Sequence, residues 1–216
     1  MPGLNSIMDT SLSALFAAQA GLATTGHNIA NANTPGYSRQ LVQFAARRPD
    51  MTAVGAIGRG VEVEGVRRIQ DEFILNNLRS QTARGESYAA VDSALSEVES
   101  ILGSIDNDHL GDALTRFFGA WNALAQPTIT DSLKENVVTS AVSLVTDLHS
   151  IDESLTALET NIESSIQLEI GNLNRLLTQV ADLNRQIMSA EAGGQAANDL
   201  RDQRDLLITQ VSSLSL

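Results

Sequence analysis

The densest set of groups in this sequence that could do chemistry is Asp199, Arg201, Asp202, Arg204 and Asp205. Neighbouring carboxylates can act as general acid and base when their surroundings push their pKa values apart. Here each acid has a basic neighbour within a helical turn, so the pattern reads as a solvated ion-pair network, with Arg201 and Asp205 spaced for an i,i+4 pair. The histidines lead no further. His27, His109 and His149 fall in separate segments, and none has a metal-ligating spacing. The stretch Gly55-Ala56-Ile57-Gly58-Arg59-Gly60 has the glycine content of a phosphate loop, but a strand pattern follows it where a helix N-terminus would be needed. No G-x-S-x-G elbow occurs. The chain has no cysteine, which removes thiolate zinc sites, disulfides and a cysteine nucleophile together. No cofactor is expected, and catalysis has no positive support.

The elements that carry these groups begin with an unusual first segment. Its first 38 residues hold one charged side chain, Asp9. Met8, Leu15, Leu22 and Ile29 recur every seven residues, with Leu4 and Leu12 beside them, and Ala, Gly, Ser, Thr, Asn and Gln fill the rest. That is a helix over residues 4 to 32 with one apolar face and no charged outer face. Isolated helices are marginal in water, so this one is expected to order only when packed against other chains or segments. Asn31, Pro35, Gly36 and Tyr37 lie in the run from Asn28 to Tyr37, which stops the helix and turns the chain.

Two strand patterns follow. Leu41-Val42-Gln43-Phe44 is a short strand, Val61 to Val66 alternates apolar and polar, and the glycine stretch between them reads as a flexible loop. A two-stranded unit of this kind cannot stand alone. From Asp71 the spacing is helical. Ile74, Leu78, Tyr88, Val91, Leu95, Val98, Leu102 and Ile105 predict one long helix, or one weakened at Gly85, and Asp106-Asn107-Asp108 breaks the run. Leu110, Leu114, Phe117, Trp121 and Leu124 predict a short helix ending at Gln126-Pro127 and a local aromatic core. Asp131, an expected N-cap, opens a pattern from Val137 to Ile187 that predicts either one rod of about 90 Å or two helices folded back. Gly193-Gly194 stops it, and Asn198 is expected to cap a last helix. The fold class is therefore mainly α, an elongated helical bundle or coiled coil with a small two-stranded β connector. Its parts are an assembly helix and turn over 1–38, a β-hairpin connector over 39–70 and an elongated helical domain over 71–216.

Charge divides along the same lines. Of the net −12, residues 1–38 contribute −1, residues 39–70 contribute +3 (six Arg against three acids) and residues 71–216 contribute −14. An acidic body excludes nucleic acid as a partner, because phosphate contacts need a basic face. Arg47, Arg48, Arg67 and Arg68 in the connector are either solvated or meet acidic surfaces of neighbouring chains. No apolar run reaches membrane-span length, and residues 1–20 contain no Lys or Arg, so a conventional cleaved signal is not expected.

Several motifs carry a family resemblance. Leu12-Ser13-Ala14-Leu15, Ala18-Gln19-Ala20-Gly21-Leu22 and Asn28-Ile29-Ala30-Asn31-Ala32-Asn33-Thr34-Pro35-Gly36-Tyr37 resemble the opening of flagellar axial proteins, common to rod, hook and junction components. Gly60-Val61-Glu62-Val63, Arg67-Arg68-Ile69-Gln70-Asp71-Glu72-Phe73, Phe117-Phe118-Gly119-Ala120-Trp121-Asn122 and Asn198-Asp199-Leu200-Arg201-Asp202-Gln203-Arg204-Asp205 are similar to the hook-filament junction branch. The resemblance implies a structural subunit on the extracellular flagellum, exported by the flagellar type III pathway. It further implies a homo-oligomeric ring in the flagellar axis, with hook protein, the next hook-associated protein and an export chaperone as partners. Leu4, Met8, Leu12, Leu15, Leu22 and Ile29 are then the side chains that bury against neighbouring subunits. Family members continue past the equivalent of Leu216 to a returning helix, so the chain is expected to be a fragment. Two other readings stay open: another rod or hook component, and a secreted coiled-coil binding module.

Overall fold

A computed structural model describes residues 4–53, 55–103, 109–125, 128 and 130–214, apart from the side chains of Leu4 and His109. The elements, in order, are α1 (Leu4–Ala30), β1 (Gln40–Ala46), β2 (Asp50–Thr52), β3 (Gly55–Ile57), β4 (Val61–Arg68), α2 (Glu72–Leu102), α3 (His109–Ala123), α4 (Asp131–Glu191) and α5 (Asn198–Ser212). The protein is mainly α with a small β connector. Its described residues fall into two compact units: one holds α1, the strands, α5, the start of α2 and the end of α4, and the other holds the remaining parts of α2 and α4 together with α3.

In the first unit β1 pairs antiparallel with β4. Val42, Phe44 and Ala46 stand opposite Val66, Val63 and Val61, and the register shifts between Gln43 and Phe44. Side chains alternate sides along a strand, so without that shift Val66 would lie on the opposite face from Val61 and Val63. The irregularity thus gathers three valines with Val42 and Phe44 on one apolar side, where Val42 is buried while Phe44 and Val63 stay part-exposed. Gly60, at φ +89°, lies against α1 so closely that a Cβ there would stand 2.2 Å from Ser13 Oγ and 3.3 Å from Thr10 Cα. The stretch expected as a flexible loop is partly ordered: Gly55–Ile57 forms β3, paired with Asp50–Thr52 in a second two-stranded ladder. Strand propensity in Met51-Thr52 and Ala56-Ile57 outweighs the flanking glycines.

The helices follow the apolar periodicity with local corrections. Helix α2 is unbroken through Gly85, where a cost near 1 kcal/mol is too small to interrupt a 31-residue helix. Asp71 caps it, its Oδ1 accepting from the Phe73 and Ile74 amides at 3.0 and 3.1 Å. Helix α4 is one run of 61 residues. Asp131 is its first residue, and its carboxylate takes Lys134 Nζ at 3.0 Å in place of the expected cap. Gly194, at φ +82°, ends the turn after α4 and donates to Glu191 O at 2.8 Å.

In the second unit Ala113 and Ala120 of α3 are buried, as is Val137 of α4. The expected aromatic core is corrected by the large rings themselves. Phe117 meets both Phe118 and Trp121, but Phe118 and Trp121 are 57% and 59% exposed. The breaks expected at Asp106-Asn107-Asp108 and Gln126-Pro127 lie outside the described residues.

Candidate assembly site

Helix α1 has two working faces. Ser13 and Ala17 are buried, and Gly21 comes close enough that a Cβ would meet Phe44 Cζ at 3.8 Å. Ser13 Oγ also accepts the Val61 amide at 3.3 Å. At 3.6 residues per turn, positions 13, 17, 21, 24 and 28 form one stripe. The large apolar residues lie on the other side. Met8 and Leu22 are 68% and 75% exposed, and Leu12, Leu15, Ile29, Ile7 and Phe16 are all exposed. Of the residues expected to bury on assembly, all whose side chains are described therefore stand in solvent in the single chain; Leu4 opens α1, but its side chain is not among them. The heptad spacing passed over Ile7 and Phe16, which broaden the stripe to about half the helix circumference. It also passed over the seating face, because small and polar residues give no hydrophobic signal.

What fixes the stripe's direction is a polar cluster behind the end of α1. Asn28 Oδ1 accepts from Tyr37 OH at 2.7 Å and from the Gln40 amide at 2.8 Å, while Asn28 Nδ2 donates to Gln40 O at 2.9 Å. One side chain thus ties helix, turn and strand. Tyr37 meets His27 edge to face at 5.4 Å, and His27 Nε2 lies 3.3 Å from Asp199 Oδ1. Asn31 turns back on α1, donating to His27 O at 3.0 Å and accepting from Thr34 Oγ1. Pro35 is exposed. Gly36 has φ +79°, and a Cβ there would reach Leu206 Cβ at 3.0 Å, so both backbone and space demand glycine.

The charged cluster of α5 belongs to this assembly of contacts. Asp199 stays exposed, but Asp202, Asp205 and Arg68 are not solvated, which corrects the expectation for those three. Asp202 is 5% exposed. Arg68 Nη1 donates to Asp202 Oδ1 and Asp205 Oδ2, both at 2.8 Å, and the Ser38 amide donates to Asp202 Oδ2 at 3.0 Å. Arg79 of α2 donates to Asp205 O and to Thr209 Oγ1. Asn198 is no cap: its Nδ2 donates to Val66 O at 2.8 Å, pinning α5 to β4. Arg201 turns from Asp205 to make two 2.7 Å bonds with Glu191. Ion pairs across elements at low exposure cannot be seen from i,i+4 spacing.

These partners set the titration. Burial raises the Asp205 carboxyl, but the hydrogen bonds from Arg204 and Arg68 and their charges outweigh it and hold the group below its usual range. The Arg201 hydrogen bond, helped by the Ala197 amide, lowers Glu191. Burial, then Asp199 and Asp202, raises Tyr37. A carboxylate depressed in the folded state contributes stability that is fully present above its unfolded pKa and is lost as pH falls through the folded value. The docking of α5 is therefore expected to be insensitive to pH from about 5 to 9 and to weaken below about 4. Urea midpoints measured along that range check this, and Asp205→Asn should flatten the acid limb.

Among the described residues no group of three acidic, histidine or cysteine side chains could hold a metal ion, and no helix is long and apolar enough to cross a membrane. The arrangement presents a surface held in a fixed direction. The profile of the flagellar hook-associated protein FlgK helical domain matches residues 95–215. The chain belongs to this family. The flagella basal body rod protein family matches residues 8–37, the span of the two-faced helix and its turn. Flagellar hook-associated protein 1 of Bacillus subtilis (strain 168) is 35% identical over 215 residues, covering 96% of this chain and 42% of the relative. The protein of the same name from Salmonella typhimurium is 30% identical and that from Escherichia coli 28%, each covering 98% of this chain. The chain thus spans about two fifths of the length of these curated relatives. No solved structure matches it significantly.

Proposed function

We propose that this chain is part of a non-enzymatic structural subunit that joins hook to filament in the bacterial flagellum, on the outside of the cell. The observation that carries the reading is the two-faced α1. Seven large apolar side chains face solvent on a helix whose opposite side is seated on the connector sheet. Burying each contributes about 1.5–3 kcal/mol, so neighbouring copies that cover the stripe gain enough to drive a ring. Residues 1–38 serve as the assembly helix and turn, 39–70 as the connector and 71–216 as the helical body. The subunit leaves the cell by the flagellar type III route, accompanied by an export chaperone, and meets hook protein on one side and the next hook-associated protein on the other. The helical-domain match over 95–215 favours this junction over a rod or hook component, since the rod-family match is confined to 8–37.

These 216 residues contain no cysteine, and the unsubstituted full-length subunit is the labelling control. A Gly193→Cys variant, placed in the exposed turn after α4, is expressed in the full-length subunit and labelled with an impermeant maleimide on intact cells. A single narrow band at the base of each filament is expected. Label spread along the filament, or found only in the medium, would overturn the proposal.

A further inference from the structure

Two glycines in the long helices have no local reason to be glycine. Gly85 is the one glycine among the 31 residues of α2, and Gly171 the one among the 61 residues of α4. Neither has a positive φ, and a Cβ on either would meet nothing within 4 Å. Backbone and space would both accept alanine, the better helix former. What the two positions share is their place. Helix α2 leaves the first unit after Ala83, and α4 returns to it at Leu173. Gly85 is the second residue of the stretch 84–172 that forms the second unit, and Gly171 is its last but one. Each connecting helix thus has its weakest helix former where it crosses.

Little packing braces those turns. None of residues 81–89 or 167–175 is buried, and among the described residues no side-chain hydrogen bond or ion pair ties either stretch to another element. Arg79 makes the last such tie on α2 before the crossing, to Asp205 O and Thr209 Oγ1. On α4 the first buried side chain after it is Leu176. A helix bends by lengthening or opening the hydrogen bonds on its outer side, and glycine lowers the cost at the turn it occupies. Since two continuous helices join the units, a bend in one strains the other. Both must yield.

We propose that Gly85 and Gly171 are a paired hinge, where α2 and α4 bend together and the second unit changes direction relative to the first while each keeps its own packing. In an axial subunit the unit that carries α1 then holds its contacts with neighbouring copies while the helical body follows a change in load. That use rests on the axial reading above, whereas the hinge belongs to the chain alone.

Amide exchange of the whole chain, unsubstituted and as Gly85→Ala, Gly171→Ala and Gly119→Ala, tests the pairing. Exchange at residues 82–89 and 168–175 is expected to be roughly tenfold faster than in the neighbouring turns of the same helices. Gly85→Ala should slow exchange around Gly171 as well as around itself, by about fivefold, and Gly171→Ala should do the converse. Gly119, in α3, is equally open, and its alanine variant should leave both stretches unchanged. Nitroxide pairs of equal spacing on α4 read the bending directly. The pair Glu153→Cys, Asn184→Cys spans Gly171 and should give a broader distance distribution than Lys134→Cys, Ser165→Cys, which does not. Adding Gly85→Ala and Gly171→Ala should narrow the first to the width of the second. Slowing confined to the substituted helix, the same slowing from Gly119→Ala, or equal widths in the unsubstituted glycine background would each overturn the hinge. None of these outcomes touches the axial role, which labelling on intact cells decides.

Discussion

In the full-length subunit, Leu22→Asp is expected to abolish incorporation into the flagellar axis while leaving the isolated protein folded. The two halves of that expectation come from the same number. Leu22 is 75% exposed, so aspartate there costs the single chain little, within about 0.5 kcal/mol for a surface position. If copies bury the stripe, the same substitution removes about 1.5–3 kcal/mol of apolar burial and adds the cost of dehydrating a carboxylate, several kcal/mol. A total of about 4 kcal/mol already corresponds to roughly a thousandfold loss per contact, and a ring repeats the loss at every subunit. Leu15→Asp should behave alike, since Leu15 lies on the same stripe and is also exposed. Ala17→Asp should not: it strikes the seating face, where Ala17 is buried, and should destabilise the monomer itself. Far-UV circular dichroism of the purified variants and counts of labelled flagella separate the two classes. Normal incorporation of Leu22→Asp and Leu15→Asp would remove the basis for assembly through α1.

How far the residues foretold this architecture depends on the range of the interaction. Helix bounds were legible wherever one period ran long, as in α4, where apolar residues from Val137 to Ile187 step near 3.5 and the helix is continuous. Stops marked by local residue types were legible too: α1 ends at Ala30 inside the run from Asn28 to Tyr37, and α4 ends at Glu191 just before Gly193-Gly194. Contacts between distant segments were not. The spacing of Arg201 and Asp205 suggested a local pair, but Arg201 joins Glu191 and Asp205 joins Arg68, whose side chain comes from β4. Asn198 had the right type for a cap and instead bonds a strand carbonyl. The exposed stripe of α1 was visible in the heptad of Met8, Leu15, Leu22 and Ile29, because burial of large side chains is the strongest patterned signal a sequence carries. The face that seats the helix was invisible for the converse reason. Ser13, Ala17 and Gly21 are selected for what they do not contain, since only small side chains let α1 approach Gly60 and Phe44 so closely.

These distant contacts make α5 responsible for where α1 points, and Arg68→Leu measures that responsibility. Arg68 is 11% exposed at its side chain and gives 2.8 Å contacts to both Asp202 and Asp205. Leucine fills much of the space but leaves two acids facing one another. Asp205 keeps Arg204, whereas Asp202 is left with the Ser38 amide and a 3.5 Å approach of Gln70. Breaking a buried pair from one side costs about 3–5 kcal/mol because the remaining charge stays buried, a large share of the ~5–15 kcal/mol that holds a typical domain. Arg204→Leu, at a more exposed side chain with a single acidic partner, should cost about 1 kcal/mol or less. The double variant Arg68→Leu, Asp202→Leu should recover part of the loss, since no unpaired acid then remains at position 202 and the two effects are coupled. Urea unfolding of the whole chain gives all three values. Because the Ser38 amide shares Asp202 with Arg68, Arg68→Leu should also speed amide exchange at residues 37–40 while leaving α3 unchanged. A cost for Arg68→Leu no greater than that for Arg204→Leu would mean that the aspartates of α5 are hydrated and that the turn after α1 is held by Asn28 alone.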